Sequence, residues 1–287
     1  MRVGLLYQPH IAASIRHADR VRERLGDLGV DAWASSSFEI VDEPDAIEGS
    51  DLLLTFGGDG TVLRAARTAA PFGVPCAGVN YGRIGFLTEF SGADLDARLP
   101  DLVAGRYWIE PRLLIDWTHT GSGGAEMRGI AAGDVVVGRG RIARVVEVEV
   151  RIDDAELTTY TADGVIVATP TGTTGYTQAA GGPVLHPEVR ELVVTPIAPF
   201  LTPANSIVVG RDVTIDIGVR TTHEATLSID GQTQYMLDAG DRVVCRASKH
   251  VAQFARMQSR SYFYATLAEK LRWRVPHQLA RPSNSDS

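Results

Sequence analysis

The pattern of apolar residues changes near residue 105, and this change constrains the fold more than any other feature of the chain. Before it, short apolar runs alternate with segments of helical spacing. The run RVGLLY is followed by five apolar residues at three- and four-residue steps: Ile15, Ala18, Val21, Leu25 and Leu28. The runs DLLLTF and GVPCAGVN flank a second helical segment, TVLRAARTAA. This alternation predicts an α/β domain with a doubly wound, mostly parallel sheet over residues 1–105.

From residue 106 to about 250, the sequence consists of short, β-branched and often alternating segments. Examples are ARVVEVEVRID and VTIDIGV, and Gly, Asp-Asp and Asp-Gly turns separate such segments. We therefore predict a β-rich, largely antiparallel second domain over 106–250. Helical spacing returns in FARMQSRSYFYATLAEKLRW, and the segment of about 251–275 is expected to pack back on the first domain. Residues 276–287, which end in RPSNSDS, are predicted to be a disordered tail.

Charge and composition argue against several classes of partner. The net charge of −7 favours neither nucleic acid nor an anionic membrane surface. The apolar runs are all well short of the roughly 18 residues that span a bilayer, and the N-terminus MRVGLLYQPH is read as a strand. Cys76 and Cys245 lie in apolar contexts, so two buried thiols in a reducing, cytoplasmic environment are expected.

Several local predictions concern single residues. Ser91 and Asp94 resemble a capping box that opens a helix ending near residue 104. Tyr262, Phe263 and Tyr264 are predicted to form a packing patch for the C-terminal segment or a subunit contact. His186 in PVLHPE and His223 in RTTHEAT are interpreted as loop or strand residues rather than catalytic ones. The spacing of His, Cys and acidic residues does not match a zinc site.

A glycine-rich turn with an acid at its centre follows the second apolar run, in LLLTFGGDGTVLRAA. Gly57, Gly58 and Gly60 would let another molecule approach the backbone closely, yet Asp59 should repel a phosphate. One interpretation is a plain turn in which Asp59 caps a helix that begins at Thr61. The other is a ligand site, because open α/β sheets bind ligands at the carboxyl ends of their strands. Neither the Walker motif nor G-x-G-x-x-G matches this turn.

A longer cluster occupies residues 161–187, TADGVIVATPTGTTGYTQAAGGPVLHP. Asp163 precedes an apolar strand that runs into a loop rich in threonine and glycine, followed by Tyr176. Hydroxyls and open backbone gathered at a strand end suit hydrogen bonds to sugar hydroxyls and phosphate oxygens. The alternative is a threonine-rich hairpin without a ligand. Between the two clusters, NYGRIGFLTEF (80–90) is either a second loop at the edge where Asp59 lies or a structural crossover.

Together these motifs resemble those of the NAD kinase family. The resemblance rests on GGDGTVL, NYGRIGFLTE, ADGVIVATPTGTTGY with AGGP, and SIDGQ (228–232), and it covers roughly residues 50–270. GGDGT alone is shared with diacylglycerol and sphingosine kinases. The resemblance implies an α/β domain followed by a β domain that binds NAD. It also implies transfer of a phosphoryl group from ATP, or from polyphosphate in some members, to the 2′-hydroxyl of the adenosine ribose of NAD.

The resemblance also implies roles for individual residues. Asp59 matches the acid assigned as general base for the ribose hydroxyl. Phosphate or nucleotide contacts are expected at Gly57, Gly58, Gly60, Thr61 and Arg64. NAD contacts are expected at Asp134, Asp163, Thr171, Thr174, Gly175 and Tyr176. Mg²⁺ or another divalent cation would be held mainly by the phosphates, and a homodimer or homotetramer is expected.

One position departs from the family pattern. In IAAGDVVVG the acid is kept as Asp134, but Gly133 stands where an asparagine is expected. Loss of one hydrogen-bonding partner typically costs about 0.5–1.5 kcal/mol, which would weaken NAD binding without abolishing the chemistry. The alternative is a paralogue that phosphorylates a different nucleotide or small alcohol. A lipid kinase lacks the threonine-rich motif, and a non-catalytic dinucleotide-binding protein would not need Asp59.

Overall fold

A computed structural model gives the fold of residues 1–82, 85–140, 144–221 and 223–271. The predicted tail, 276–287, lies outside the described residues. The α-helices are α1 Ala12–Asp27, α2 Asp59–Ala69, α3 Gly92–Val103, α4 Tyr176–Ala179 and α5 Tyr262–Lys270. The first nine strands are β1 Arg2–Tyr7, β2 Asp31–Ser36, β3 Leu52–Gly57, β4 Cys76–Asn80, β5 Thr88–Phe90, β6 Trp108–Thr120, β7 Glu126–Ala131, β8 Asp134–Arg139 and β9 Val146–Ile152. The others are β10 Ala155–Ala162, β11 Gly164–Ala168, β12 Leu192–Ile197, β13 Ile207–Val209, β14 Thr214–Val219, β15 Ala225–Ile229, β16 Thr233–Leu237 and β17 Arg242–Arg256.

The N-terminal part is an α/β domain with a parallel sheet, as predicted. Strands β2, β1, β3 and β4 lie side by side in that order, and β5 runs parallel to β4. Because successive strand residues face opposite sides of a sheet, Leu5 packs with Leu25 of α1 while Leu6 packs with Ala65 of α2. Helices therefore cover both faces of the sheet. Strand β2, DAWASS, was not predicted, since it contains no apolar run.

The C-terminal part is a sandwich of antiparallel strands. One sheet has the order β13-β12-β11-β8-β15-β16, and every pairing in it is antiparallel. Its inner residues, such as Val137 and Val167, pack against Val148 and Ile217 of the other sheet in one core. That other sheet is continuous with the N-terminal sheet. The α/β domain followed by a β-rich domain is the predicted fold class.

Strand β17 joins the two parts of the molecule. It pairs along its length with β6, and at Phe254 it pairs in parallel with Cys76 of β4. The helical spacing predicted for the segment that begins at Phe254 was therefore wrong for residues 254–256, which belong to β17. Ala252 and Phe254 are buried because they lie on the same face of strand β17. Helix α5 begins only at Tyr262. The predicted domain limits at residues 105 and 250 stay predictions, since one sheet runs through both parts.

Several single-residue predictions are confirmed. Ser91 Oγ accepts from the Asp94 N–H at 3.2 Å, while Asp94 accepts from the Ser91 N–H at 3.2 Å, and this capping box opens α3. Both cysteines are free and buried, and burial raises the pKa of each thiol to about 12.

In the described part of the chain, none of the helices combines the length and the apolar character needed to cross a membrane.

The predicted aromatic patch is partly buried by α5. Tyr262 and Phe263 are buried against Phe86, whereas Tyr264 is 59% exposed. His186 packs edge-on against Phe263 with ring centroids 5.6 Å apart, as expected for a structural histidine. The helix therefore covers the loop that contains Phe86.

Candidate active site

A cavity of about 410 Å³ lies where the two parts of the molecule meet. Gly133 lines it, and so do six residues for which a role was predicted from the sequence: Asp59, Asp134, Thr171, Thr174, Gly175 and Tyr176. They come from the start of α2, the start of β8 and the loop after β11. Residues more than 100 positions apart in the chain therefore share one cavity.

Asp59 is fixed by a loop from another part of the domain. Helix α2 begins at Asp59 itself, with Gly58 as its N-cap and no side-chain capping bond, so the interpretation of Asp59 as a cap was wrong. The Asp59 carboxylate accepts from the Phe86 N–H at 2.8 Å and from the Leu87 N–H at 3.1 Å. Phe86 and Leu87 of the NYGRIGFLTEF segment therefore lie at the same sheet edge as Asp59 and hold its side chain.

Gly85 makes room for the Asp59 carboxylate. A Cβ atom at residue 85 would lie 1.7 Å from Asp59 Oδ1, which is a collision with the centre of the carboxylate. Any other residue here would displace the acid or the loop that holds it. The sequence indicates this glycine only by its place in the motif, because Asp59, the residue it makes room for, is 26 residues away in the chain.

The remaining residues of the glycine-rich turn do not line the cavity. Gly57 is needed for packing, since a Cβ there would lie 2.2 Å from Thr61 Oγ1. Among the described residues, chain neighbours aside, no atom lies within 4 Å of a Cβ built on Gly58, and the Gly60 carbonyl accepts from Gln232 Nε2 at 2.8 Å. The Arg64 guanidinium lies 4.0 Å from the centroid of the Phe38 ring. Phosphate contacts at Gly57, Gly58, Gly60, Thr61 and Arg64 stay predictions.

The threonine-rich loop uses several of its hydroxyls internally. Buried Thr169 donates to the Ala132 carbonyl at 2.7 Å, and buried Thr173 donates to the Pro170 carbonyl at 2.6 Å. Thr174 donates to the Thr171 carbonyl at 3.1 Å. These bonds shape the loop, so that Thr174, Gly175 and the half-exposed Tyr176 face the cavity.

Asp230 of the SIDGQ segment is a site residue that sequence reasoning did not assign. Its side chain is fully buried and pairs with Arg67 at 3.1 Å. It also accepts from three successive backbone N–H groups, at distances of 2.7 to 3.2 Å, those of Ala132, Gly133 and Asp134. The carboxylate thereby shapes the wall of the cavity around Gly133. The Asp-Gly turn in SIDGQ was the available signal.

Asp134 lies beside Asp230 and is partly buried. Burial disfavours its charged form, and the Asp230 carboxylate repels it, so the pKa of Asp134 rises from 3.8 to about 7. Because the folded chain then binds this proton more tightly than the unfolded chain, the ionised carboxyl destabilises the fold. The contribution of Asp134 should lower the free energy of unfolding as the pH rises from about 4 to about 7, and this contribution should stay constant above pH 7.

An Asp134→Asn variant is therefore expected to be more stable than the parent at pH 8, by on the order of 2–4 kcal/mol. This difference in the free energy of unfolding should shrink towards zero as the pH falls to about 4, because the parent carboxyl is then neutral as well. Urea unfolding of both proteins at several pH values measures the difference. Asp212→Asn, whose side chain is 94% exposed, is the matched control and should show no such difference. A difference that does not change with pH would contradict the expectation.

Asp163 lines a second cavity, of about 330 Å³, next to the first. It forms an ion pair with Arg139, in which Nε and Oδ1 are 3.0 Å apart. Val136 and Tyr176 line both cavities. The structure thus does not place Asp163 in the cavity of Asp59, but in an adjoining space that shares these two lining residues with it.

A buried group of charges supports both loops of the site. We call Glu89, Glu110, Arg112, Arg256 and Tyr262 the ionic cluster. Arg256 contacts Glu89 at 3.1 Å and Glu110 at 3.2 Å, and its Nη1 donates to the Leu87 carbonyl at 3.0 Å. At the other side, Arg112 donates to Thr171 Oγ1 at 3.0 Å and to the Tyr262 hydroxyl at 2.8 Å. Loop 85–87 and the threonine loop are therefore tied to the same cluster.

The charges in this cluster stabilise one another. Burial alone would raise the pKa of Glu110, but Arg112, Arg256 and the Tyr262 hydroxyl outweigh it and lower that pKa. Burial also raises the pKa of Tyr262 to about 12. Sequence reasoning missed the cluster. The available signal was Glu110 and Arg112, opposite charges two residues apart, which lie on one face of β6.

The chain matches two family models that together cover most of its length. The family described as the ATP-NAD kinase N-terminal domain matches residues 11–107, and the ATP-NAD kinase C-terminal domain matches residues 132–257. The NAD kinase of Dehalococcoides mccartyi is 39% identical over 272 residues, covering 94% of this chain and 96% of the relative. The NAD kinase of Symbiobacterium thermophilum is 42% identical over 222 residues, covering 77% of this chain and 78% of the relative.

Solved structures have the same fold. Yeast NADH kinase complexed with NADH superposes with a TM-score of 0.87 at 20% identity, covering 100% of this chain and 90% of that one. An NAD kinase from Archaeoglobus fulgidus in complex with ATP has a TM-score of 0.76 at 27% identity, covering 95% of this chain and 99% of that one. At 20% identity the yeast structure supports the fold alone.

Proposed function

This chain belongs to the NAD kinase family, and from that premise we propose that it phosphorylates the 2′-hydroxyl of the adenosine ribose of NAD to give NADP. The observation that carries the proposal is the position of Asp59. Its carboxylate is held by two backbone N–H groups in a cavity that Asp134, Thr174 and Tyr176 also line. An acid at the start of a helix, beside an open glycine backbone, suits a hydroxyl that must meet a phosphate.

Asp59 would act as the general base. Each of its oxygens accepts one N–H bond and keeps a free lone pair that can accept the hydroxyl proton. As the proton moves to Asp59, the ribose oxygen forms a bond to the γ-phosphorus of ATP and the bond to the ADP oxygen breaks. The N-terminus of α2 places partial positive charge beside the negative charge that develops on the transferred group. The protein thus contributes mainly positioning and charge stabilisation.

The two adjoining cavities suit the two halves of a dinucleotide. The adenosine half would lie near Asp134 and Thr174, and the nicotinamide half near Asp163. Tyr176 and Val136 line both spaces and would contact the substrate where it passes from one to the other. Thr171 and Gly175 complete the proposed NAD contacts.

ATP is the proposed phosphoryl donor, and the related A. fulgidus enzyme in complex with ATP supports this choice. Polyphosphate as an alternative donor stays a prediction. Among the described residues, no group of three or more His, Cys, Asp or Glu side chains is arranged to hold a metal ion. Mg²⁺ is proposed to be bound mainly by the donor phosphates, whose charge it would offset. A homodimer or homotetramer and a cytoplasmic location also stay predictions.

The direct test is to incubate the protein with Mg²⁺, with NAD or NADH as acceptor and ATP or polyphosphate as donor. NADP formed with stoichiometric ADP from ATP is the expected result. The same incubation with a diacylglycerol or sphingosine acceptor should give no phosphorylated lipid. Absence of NADP and NADPH under all donor and acceptor pairs would contradict the proposed function.

Gly133→Asn tests the acceptor site. Gly133 lines the cavity, and an amide there would supply the hydrogen-bonding group that the family pattern has at this position. We expect the KM for NAD to fall about 2- to 10-fold, the equivalent of one hydrogen bond. Gly133→Ala is the control: its Cβ would lie 3.3 Å from Asp230 Oδ1, so it reports the steric effect without the amide. An unchanged or higher KM in the asparagine variant would point to another acceptor.

A further inference from the structure

Helix α5 brings a lysine to the wall of the cavity that contains Asp59. Lys270 is the last residue of α5, and it lines the cavity. Its Nζ lies 4.6 Å from the centroid of the Phe86 ring. Phe86 is the residue whose backbone N–H binds Asp59 at 2.8 Å, so Lys270 and Asp59 both contact Phe86 and both line the cavity.

The charges around the cavity are mostly negative. Its described lining includes three acids, Asp59, Asp134 and Asp230, and Lys270 is the single cation among those lining residues. The nearby Arg67 is already paired with Asp230 at 3.1 Å. A donor with several phosphate charges that enters this space meets repulsion unless a cation compensates it. A lysine suits that role, because its ammonium has three donors on a flexible stem.

The position of Lys270 is set by the buried side of α5. The Tyr262 hydroxyl donates to Glu110 Oε2 at 2.8 Å, and Phe263 and Leu267 are buried against Phe86. The helix is therefore tied to the ionic cluster, which also binds loop 85–87 through the Leu87 carbonyl. One buried assembly thus sets both the acid and the cation on the cavity wall.

We propose that Lys270 binds the phosphate chain of the donor, a nucleoside triphosphate, in the kinase reaction. The inference rests on the proposed function and adds a donor-binding residue to it. A purely structural role is the competing explanation, since a lysine in the last turn of a helix also interacts favourably with the helix dipole. The two explanations differ in what they predict for the KM of the donor.

Kinetics of Lys270→Met separate the two explanations. The KM for ATP should rise at least about 10-fold, the loss of a charge-assisted hydrogen bond, with a much smaller change in the KM for NAD. Lys270→Arg should retain most of the affinity for ATP. Lys249→Met is the matched control, because Lys249 is exposed and is the other lysine of the chain. A KM for ATP within twofold of the parent in Lys270→Met would overturn the proposal.

A binding experiment that does not depend on turnover distinguishes this proposal from the proposed function. The intact protein is treated with an amine-reactive reagent, and the labelling of its two lysines is compared by mass spectrometry with and without ATP. ATP should protect Lys270 several-fold and leave Lys249 unchanged. Protection without any NADP formed would contradict the proposed function alone. Equal labelling of Lys270 with and without saturating ATP would overturn the donor-binding role.

Discussion

An Asp59→Asn variant is expected to lose about 10²- to 10⁴-fold in kcat for NADP formation, because it removes the proposed proton acceptor. The geometry adds a second reason. Both carboxylate oxygens accept N–H bonds, from Phe86 and Leu87, and an amide NH₂ would face one of these donors. Initial rates with NAD and ATP at saturation measure the effect.

Two further variants make this prediction specific. Asp212→Asn, on the surface, should leave kcat unchanged. Gly85→Ala keeps Asp59 but places a methyl group 1.7 Å from the position of its Oδ1, so it should also lower kcat, by at least about tenfold. Circular dichroism and thermal unfolding establish that each variant is folded. A loss below tenfold in folded Asp59→Asn would exclude the general-base role.

An Arg256→Met variant is expected to destabilise the protein by about 3–5 kcal/mol, the largest stability effect that we anticipate. Arg256 is 1% exposed and contacts Glu89 and Glu110. Its loss removes the guanidinium that compensates the buried Glu89 carboxylate and one of the two arginines, Arg112 being the other, that compensate Glu110. At roughly 2–4 °C per kcal/mol, the Tm should fall by on the order of 10 °C. The Leu87 carbonyl also loses its donor, so activity should fall in the variant that remains folded.

The control for this variant is an exposed ion pair. Arg106 pairs with Asp101 on the surface, where both side chains are about half exposed. Arg106→Met should change the free energy of unfolding by less than about 1 kcal/mol. If Arg256→Met were as stable as Arg106→Met, the ionic cluster would have no role in holding the two loops.

Much of the fold could be predicted because local patterns encode it. Strands β1 and β3 are apolar runs that lie buried between helices, and α1 keeps its helical spacing of buried residues. The capping box of α3 depends on residues three positions apart. Where the local pattern was weak, prediction failed: β2 has no apolar run, and the end of β17 has a spacing that is also compatible with a helix.

The candidate site likewise contains some residues that the sequence identified and others that only the structure revealed. The acid of GGDGT and the threonine loop were identified from motifs, because their residue types suit the chemistry they would perform. Asp230, Gly85 and the ionic cluster were not assigned, because each acts through partners far away in the chain. Arg256 and Glu110 are 146 residues apart. A local sequence pattern does not show which distant charges will be buried together.

By itself, the sequence determined the alternation of strands and helices in the first part apart from β2, the change to a β-rich second part, the family resemblance and the acid at residue 59. The tertiary structure decided which of these residues share a cavity: Asp134 and Tyr176 lie with Asp59, whereas Asp163 lies in the adjoining space. The physical reason is that hydrophobic periodicity acts over a few residues, whereas a carboxylate is positioned by hydrogen bonds and packing that depend on the whole fold.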